Sequence, residues 1–264
     1  MEPSFKFLDK IPYFGNSFFP FSPLFVSLSE SQNELAMLAV EDQRILSNKG
    51  GHGYFEVYSR LFDKYRHKRL AIVELGIGSV NENVPSTMYH FHKNMPSMHG
   101  LNYSPGGSLR LWQRYFLNQD SLFVGWDIDL DHACIENAKL FKVDTMDNLQ
   151  LRRTTAETLI FLSAFDFEGI DIFIDDGLHS LESQQSVFES VFPYISDNGI
   201  YIIEDISVAG LTVSSLGDLF LESNLGALVL ADKLARISGR RPQIFQFYEN
   251  GTLICLMVIR KSRI

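Results

Sequence analysis

Cysteine is scarce in this chain of 264 residues, with Cys134 and Cys255 the whole complement. Two thiols cannot build a disulfide framework or a zinc cluster, so a reducing, cytoplasmic setting is expected. Long apolar runs are missing too: no stretch of about 18 apolar residues offers a membrane span. The segment Phe18–Leu28 is apolar-rich, but Pro20 and Pro23 break it. It has no basic lead-in or clean cleavage pattern, so it does not read as a signal peptide. Basic charge is also short, with 23 Lys and Arg against 32 Asp and Glu, a formal net charge of −9. That argues against a general nucleic-acid partner, which requires a cationic surplus facing phosphate. Internal repeats and low-complexity tracts are absent.

What is present is a chain with 45% hydrophobic residues, enough for one large core. Residues 1–28 are rich in Phe and Pro with little periodicity, and 29–46 read as a helix capped by Ser29 or Ser31. Residues 1–48 thus form an arm and helix, a candidate lid or oligomer contact, and a homo-oligomer is expected. From residue 49 onward strands and helices alternate. Helices are expected at 54–65, 108–117 (capped by Ser108), 130–137, 148–164, 180–194 and 211–237, the last broken near Gly217 or Gly226. Strands are expected at 70–75, 121–128, 139–143, 172–174 and 200–203. Asn250-Gly251 then joins two strands as an antiparallel hairpin. The fold class is α/β: a Rossmann-like doubly wound sheet of about seven strands, mostly parallel, closed by that hairpin.

The chemistry gathers where strands end. The run Ile172–Ile174 stops at Asp175-Asp176-Gly177-Leu178-His179, and Ile200–Ile203 stops at Glu204-Asp205. One β–α–β crossover separates them, so both acidic ends fall on the sheet edge where open α/β folds bind ligands. Crowded carboxylates repel, and a hard divalent cation such as Mg²⁺ would hold them together. Asp175 and Asp176 point to opposite faces, and Asp176 is the ligand candidate because it shares a turn with His179. Glu74 is unusual inside a buried strand. It either pairs with a buried Arg or orders the adjoining Gly76-Ile77-Gly78 bend beside a cationic ligand. Asp127, at the end of the second strand, stands where a ribose-binding acid belongs. A plain turn also accounts for Asp127 and for Asp175-Asp176-Gly177. The missing third glycine of the dinucleotide fingerprint disfavours a nicotinamide dehydrogenase.

These segments together resemble a family. Val73–Gly78 and Gly125–Asp129, with the acidic fourth strand end, are similar to class I S-adenosylmethionine-dependent methyltransferases. Lys49–Tyr54, Pro105–Trp112, Asp175–His179 and Ile203–Asp205 resemble more closely the macrocin and mycinamicin sugar O-methyltransferases and the cephalosporin-hydroxylase-like proteins. The resemblance covers 49–264 and implies an S-adenosylmethionine- and Mg²⁺-dependent O-methyltransferase domain. Its acceptor would be a sugar hydroxyl of a glycan or glycosylated natural product. It implies Asp176, Glu204 and Asp205 as metal ligands and His179 as general base. Glu74, Gly76, Gly78 and Asp127 would hold the cofactor, Asp144 would lie near the adenine, and Tyr54, Ser108 and Asp175 would border it. Thr145 follows Asp144 where relatives commonly carry Gln, and 80–104 is longer than in the antibiotic enzymes.

Other readings stand beside this one. A catechol-like small-molecule O-methyltransferase would use a related carboxylate trio, and a non-catalytic cofactor-binding scaffold would need no base. His90, His92 and His99 have no cysteine or glutamate beside them and read as loop residues rather than a zinc site. Arg240-Arg241 reads as exposed surface or as a grip on an anionic acceptor. Trp112 and Phe116 read as core.

Overall fold

The computed structural model describes residues 33–42, 44, 45, 47, 49, 53–84, 103–206, 216–249 and 252–261. The arm 1–28, the caps Ser29 and Ser31, and His90, His92 and His99 lie outside them. Seven strands form one sheet in the order β3-β2-β1-β4-β5-β7-β6. They are β1 (Ala71–Leu75), β2 (Leu122–Asp127), β3 (Ala138–Lys142), β4 (Ile170–Asp175), β5 (Ile195–Ile203), β6 (Gln243–Glu249) and β7 (Thr252–Arg260). The first five are parallel; β7 runs antiparallel to both β5 and β6. The chain builds outward from β1 to β3, then returns to lay β4 on the other side of β1. That reversal opens a crevice at the C-terminal ends of β1 and β4.

Alternation along the strands gives each sheet face its own core. Val73, Val124, Phe173, Tyr201 and Met257 face one way. They meet α4 (Asn148–Ser163), α5 (Leu181–Val191) and α6 (Leu216–Ser238) through Leu151, Leu162, Phe188, Leu230 and Leu234. Ile72, Ile174, Ile202 and Val258 face the other way. There they meet α1 (Glu34–Glu41), α2 (Tyr54–Phe62) and α3 (Gly107–Tyr115) through Leu35, Tyr58, Phe62, Leu109 and Trp112. Leu35 is fully buried, so α1 is part of this second layer. No described helix is long and apolar enough to cross a membrane.

Four local expectations are corrected. No helix forms over 130–137: Asp127 and Asp129 capture the N–H groups of Asp129 and Asp131 at 3.1 Å each, and these side-chain turns compete with helix. Helix α3 begins at Gly107 behind Gly106, whose φ of 86° suits the cap; Ser108 lies inside the first turn. The Asp197–Gly199 turn lies within β5, where Asn198 takes φ 68° and the pairing with β4 slips. Helix α6 runs unbroken through Gly226, which is buried.

The bend after β1 fits against the end of β4. Gly76 has φ 87°, and a Cβ there would run into the carbonyl oxygen of Asp176. Gly76→Ala adds a left-handed alanine to that backbone clash. The expected loss is at least about 2 kcal/mol of stability, read as a large drop in melting temperature; an unchanged melt would show that the two loops are not so closely joined.

Candidate active site at the ends of β1, β4 and β5

The sheet ladder continues past the strand ends. The Asp176 N–H donates to the Leu75 carbonyl at 2.9 Å, and the Glu204 N–H donates to the Asp175 carbonyl at 2.9 Å. Since alternate residues share a face, Glu74, Asp176 and Glu204 all turn toward the layer of α2 and α3. Lys49 meets them there, 1% exposed. Its Nζ lies 2.6 Å from Asp176 Oδ2, 2.7 and 2.8 Å from the two Glu204 oxygens, and 3.3 Å from Glu74 Oε1. Burial alone would lower the Lys49 pKa, but attraction to Asp176, Glu204 and Glu74 outweighs it, so the ammonium is held charged. Burial raises the carboxyl of Glu204, and Asp176 beside it raises it further.

Helix α2 supplies two more donors one turn apart. Tyr58 Oη donates to Glu204 Oε1. Tyr54 Oη donates to Asp205 Oδ1 and accepts the Asp205 N–H at 3.2 Å. Glu74 is closed in by Trp112 Nε1, donating at 3.1 Å to Oε2, and by Ser108. Glu74 has no exposed surface, and its ionic partner is Lys49 rather than an arginine. Ser108 likewise reaches the site through Glu74.

On the open side, His179 Nε2 lies 3.8 Å from Asp176 Oδ1 and 3.9 Å from Asp205 Oδ2. Asp176, His179 and Asp205 each offer a ligand atom within 4.8 Å of the others. His179 and Asp205 both take left-handed backbone, at φ 58° and 47°. Such strain in non-glycine residues gathers at functional sites. The structure therefore brings together Asp176, His179 and Asp205 at the surface, with Glu204 behind them in the grip of Lys49 and Tyr58.

Asp175 turns away from Asp176. It faces the opposite layer, accepting from Tyr201 Oη at 3.2 Å and the Gly177 N–H at 3.4 Å. Burial pushes its pKa up to about 7. Asp127 ties the crevice together: its Oδ2 accepts the Gly78 N–H at 3.0 Å, and burial raises its pKa against that support. Asp144 sits beyond β3, accepting the Met146 N–H at 2.9 Å in a tight turn. Gly76 and Gly78, at φ 87° and 88°, form the bend between Glu74 and Asp127.

The donor set suits a hard divalent cation. Three carboxylates, from Glu74, Asp176 and Glu204, meet the Lys49 ammonium, and Asp205 lies beside Asp176 and His179. The ligand atoms that could hold it are carboxylate oxygens, with the His179 imidazole beside them.

Strand order, the glycine bend after β1 and the acid closing β2 define a Rossmann-like methyltransferase fold. Within that class the chain is similar to sugar O-methyltransferases. It is 30% identical over 169 residues to demethylmacrocin O-methyltransferase of Streptomyces fradiae, covering 63% of this chain and 35% of that protein. It is 29% identical over 168 residues to 8-demethyl-8-(2-methoxy-alpha-L-rhamnosyl)-tetracenomycin-C 3'-O-methyltransferase of Streptomyces olivaceus, covering 63% and 36%. The chain thus spans about a third of the length of these curated relatives. The MycE methyltransferase of the mycinamycin biosynthetic pathway, solved with Mg and SAH, superposes with a TM-score of 0.58 at 22% identity, over 87% of this chain and 55% of that one. No protein-family model matches the chain.

Replacing Lys49 with Met leaves buried carboxylates without their counter-charge. The expected cost is about 3–5 kcal/mol in metal-free protein, measured by urea unfolding at pH 7. A cost below about 1 kcal/mol would place Lys49 outside the cluster in solution.

Proposed function

We propose that this chain is an S-adenosylmethionine- and Mg²⁺-dependent O-methyltransferase whose acceptor is a sugar hydroxyl of a glycosylated small molecule. The observation that carries the proposal is the convergence of Asp176, His179 and Asp205 beside the Gly76–Gly78 bend. The names of the relatives support the acceptor class: demethylmacrocin and rhamnosyl-tetracenomycin enzymes are O-methyltransferases of glycosylated natural products. MycE, which shares the fold, was solved with Mg and SAH and also with mycinamycin VI. In this reading residues 49–264 make up the methyltransferase domain, and α1, from the 1–48 segment, packs onto it through Leu35.

Asp176 and Asp205 would hold the cation through the oxygens that face His179, with Glu204 completing the carboxylate set behind them. Mg²⁺ would polarise the acceptor hydroxyl as a Lewis acid, and S-adenosylmethionine would supply an activated methyl group. His179 accepts the hydroxyl proton at Nε2, the nitrogen turned toward the carboxylates. The glycine bend, pinned by Asp127, lets the backbone approach the cofactor. Asp144 would approach the adenine from the end of β3. The buried layer of Lys49, Tyr58 and Trp112 keeps water from the inner side of the carboxylates.

Two measurements test this reading. Calorimetry with S-adenosylhomocysteine, with and without Mg²⁺, is expected to show binding. Turnover on glycosylated macrolide or anthracycline-type acceptors is expected to require the metal and to stop with EDTA. His179→Ala is expected to lower kcat by about 10²–10⁴ while leaving S-adenosylhomocysteine affinity within a few-fold. Full turnover by that variant would contradict the assignment of the base, and no cofactor binding by wild type would overturn the function.

A further inference from the structure

Lys49 Nζ lies in a cage of carboxylate oxygens from three neighbouring strand ends. Asp176 Oδ2 is 2.6 Å away, the two Glu204 oxygens 2.7 and 2.8 Å, and Glu74 Oε1 3.3 Å. An ammonium has three N–H bonds to give. Here they go to Asp176 and to both oxygens of Glu204. Glu74 Oε1, fully buried and facing Nζ, accepts no hydrogen bond. The cage thus presents one more oxygen than an ammonium can serve. A divalent ion, which takes six or more oxygen ligands, has no such limit. Asp176 belongs to this cage and to the open side as well: its Oδ2 is on Lys49, and its Oδ1 lies 3.8 Å from His179 Nε2. Two-metal centres hold their ions about 3.5–4 Å apart, a gap that one carboxylate spans with its two oxygens.

We propose that the cage of Glu74, Asp176 and Glu204 is a second cation position filled by Lys49, so that the site takes one divalent ion, beside His179, and not a pair. The inference rests on the metal-dependent reading of the site. Lys49 is a cation that no chelator removes, and it keeps the three strand ends together whether or not the outer ion is bound. Without it, three carboxylates share a buried space with no counter-charge, a costly arrangement. A second divalent ion is the species suited to take its place, because the ligands are hard oxygens and one of them, Glu74 Oε1, already lacks a proton donor.

The test is the number of Mn²⁺ ions bound by the full chain, read by electron paramagnetic resonance of the free ion, with neither cofactor nor acceptor present. Wild type is expected to bind one ion. Lys49→Ala, which empties the cage, is expected to bind two. With Mn²⁺ about a hundredfold above its dissociation constant, the melting temperature of Lys49→Ala is expected to rise by about 5–10 °C more than that of wild type. Two ions on wild type, or a single ion on Lys49→Ala with no extra rise, would overturn the inference and leave the metal reading standing. A Lys49→Ala chain that does not fold even with Mn²⁺ present would overturn it as well, since an inner ion would supply the missing charge. Wild type that binds no Mn²⁺ would remove both the inference and the metal reading.

Discussion

Lys49 holds together three carboxylates that would otherwise force β1, β4 and β5 apart at their ends. Its ammonium is buried and touches Asp176, Glu204 and Glu74 within 3.3 Å. Removing charges from water is expensive, and one cation set against several anions leaves an imbalance. The fold accepts that cost because Lys49 is not alone. Tyr58 donates to Glu204, and Trp112 and Ser108 donate to Glu74, so the buried carboxylates are supported by several donors besides the ammonium.

This gathering follows from the sheet. Parallel strands in register bring their C-terminal ends to one edge, and alternation decides which residues share a face. Glu74, Asp176 and Glu204 share the α2–α3 side; Asp175 is turned to the other and finds Tyr201. The reversal of strand order beside β1 places a crevice at this edge. Gly76 and Gly78 then allow the chain to turn sharply over it, with Asp127 drawing the bend toward β2.

Much of this was legible in the residues. Apolar runs ending in acid gave the strands, and Asn250-Gly251 gave the closing hairpin, because these depend on local patterns. The convergence of Asp176, His179 and Asp205 could be anticipated because one crossover brings two strand ends together. Lys49 and Tyr58 were harder to see. Tyr58 sits on an apolar helix face, where a hydroxyl is hidden among ring carbons. Lys49 stands among glycines, far in sequence from its partners. A buried Glu74 was the one signal that a cation must come from somewhere, and it suggested an arginine. The helix expected after β2 is absent for another reason: the Asp127 and Asp129 side chains take the backbone N–H groups two residues on.

The most direct test of the account is a crystal structure of the chain with Mn²⁺ and S-adenosylhomocysteine, with the ion placed by anomalous scattering. The account predicts a peak bounded by Asp176 Oδ1 and Asp205 Oδ2 beside His179, with Lys49 still inside and touching Glu204. A peak elsewhere, or Lys49 turned out to solvent with its three carboxylates dispersed, would contradict it.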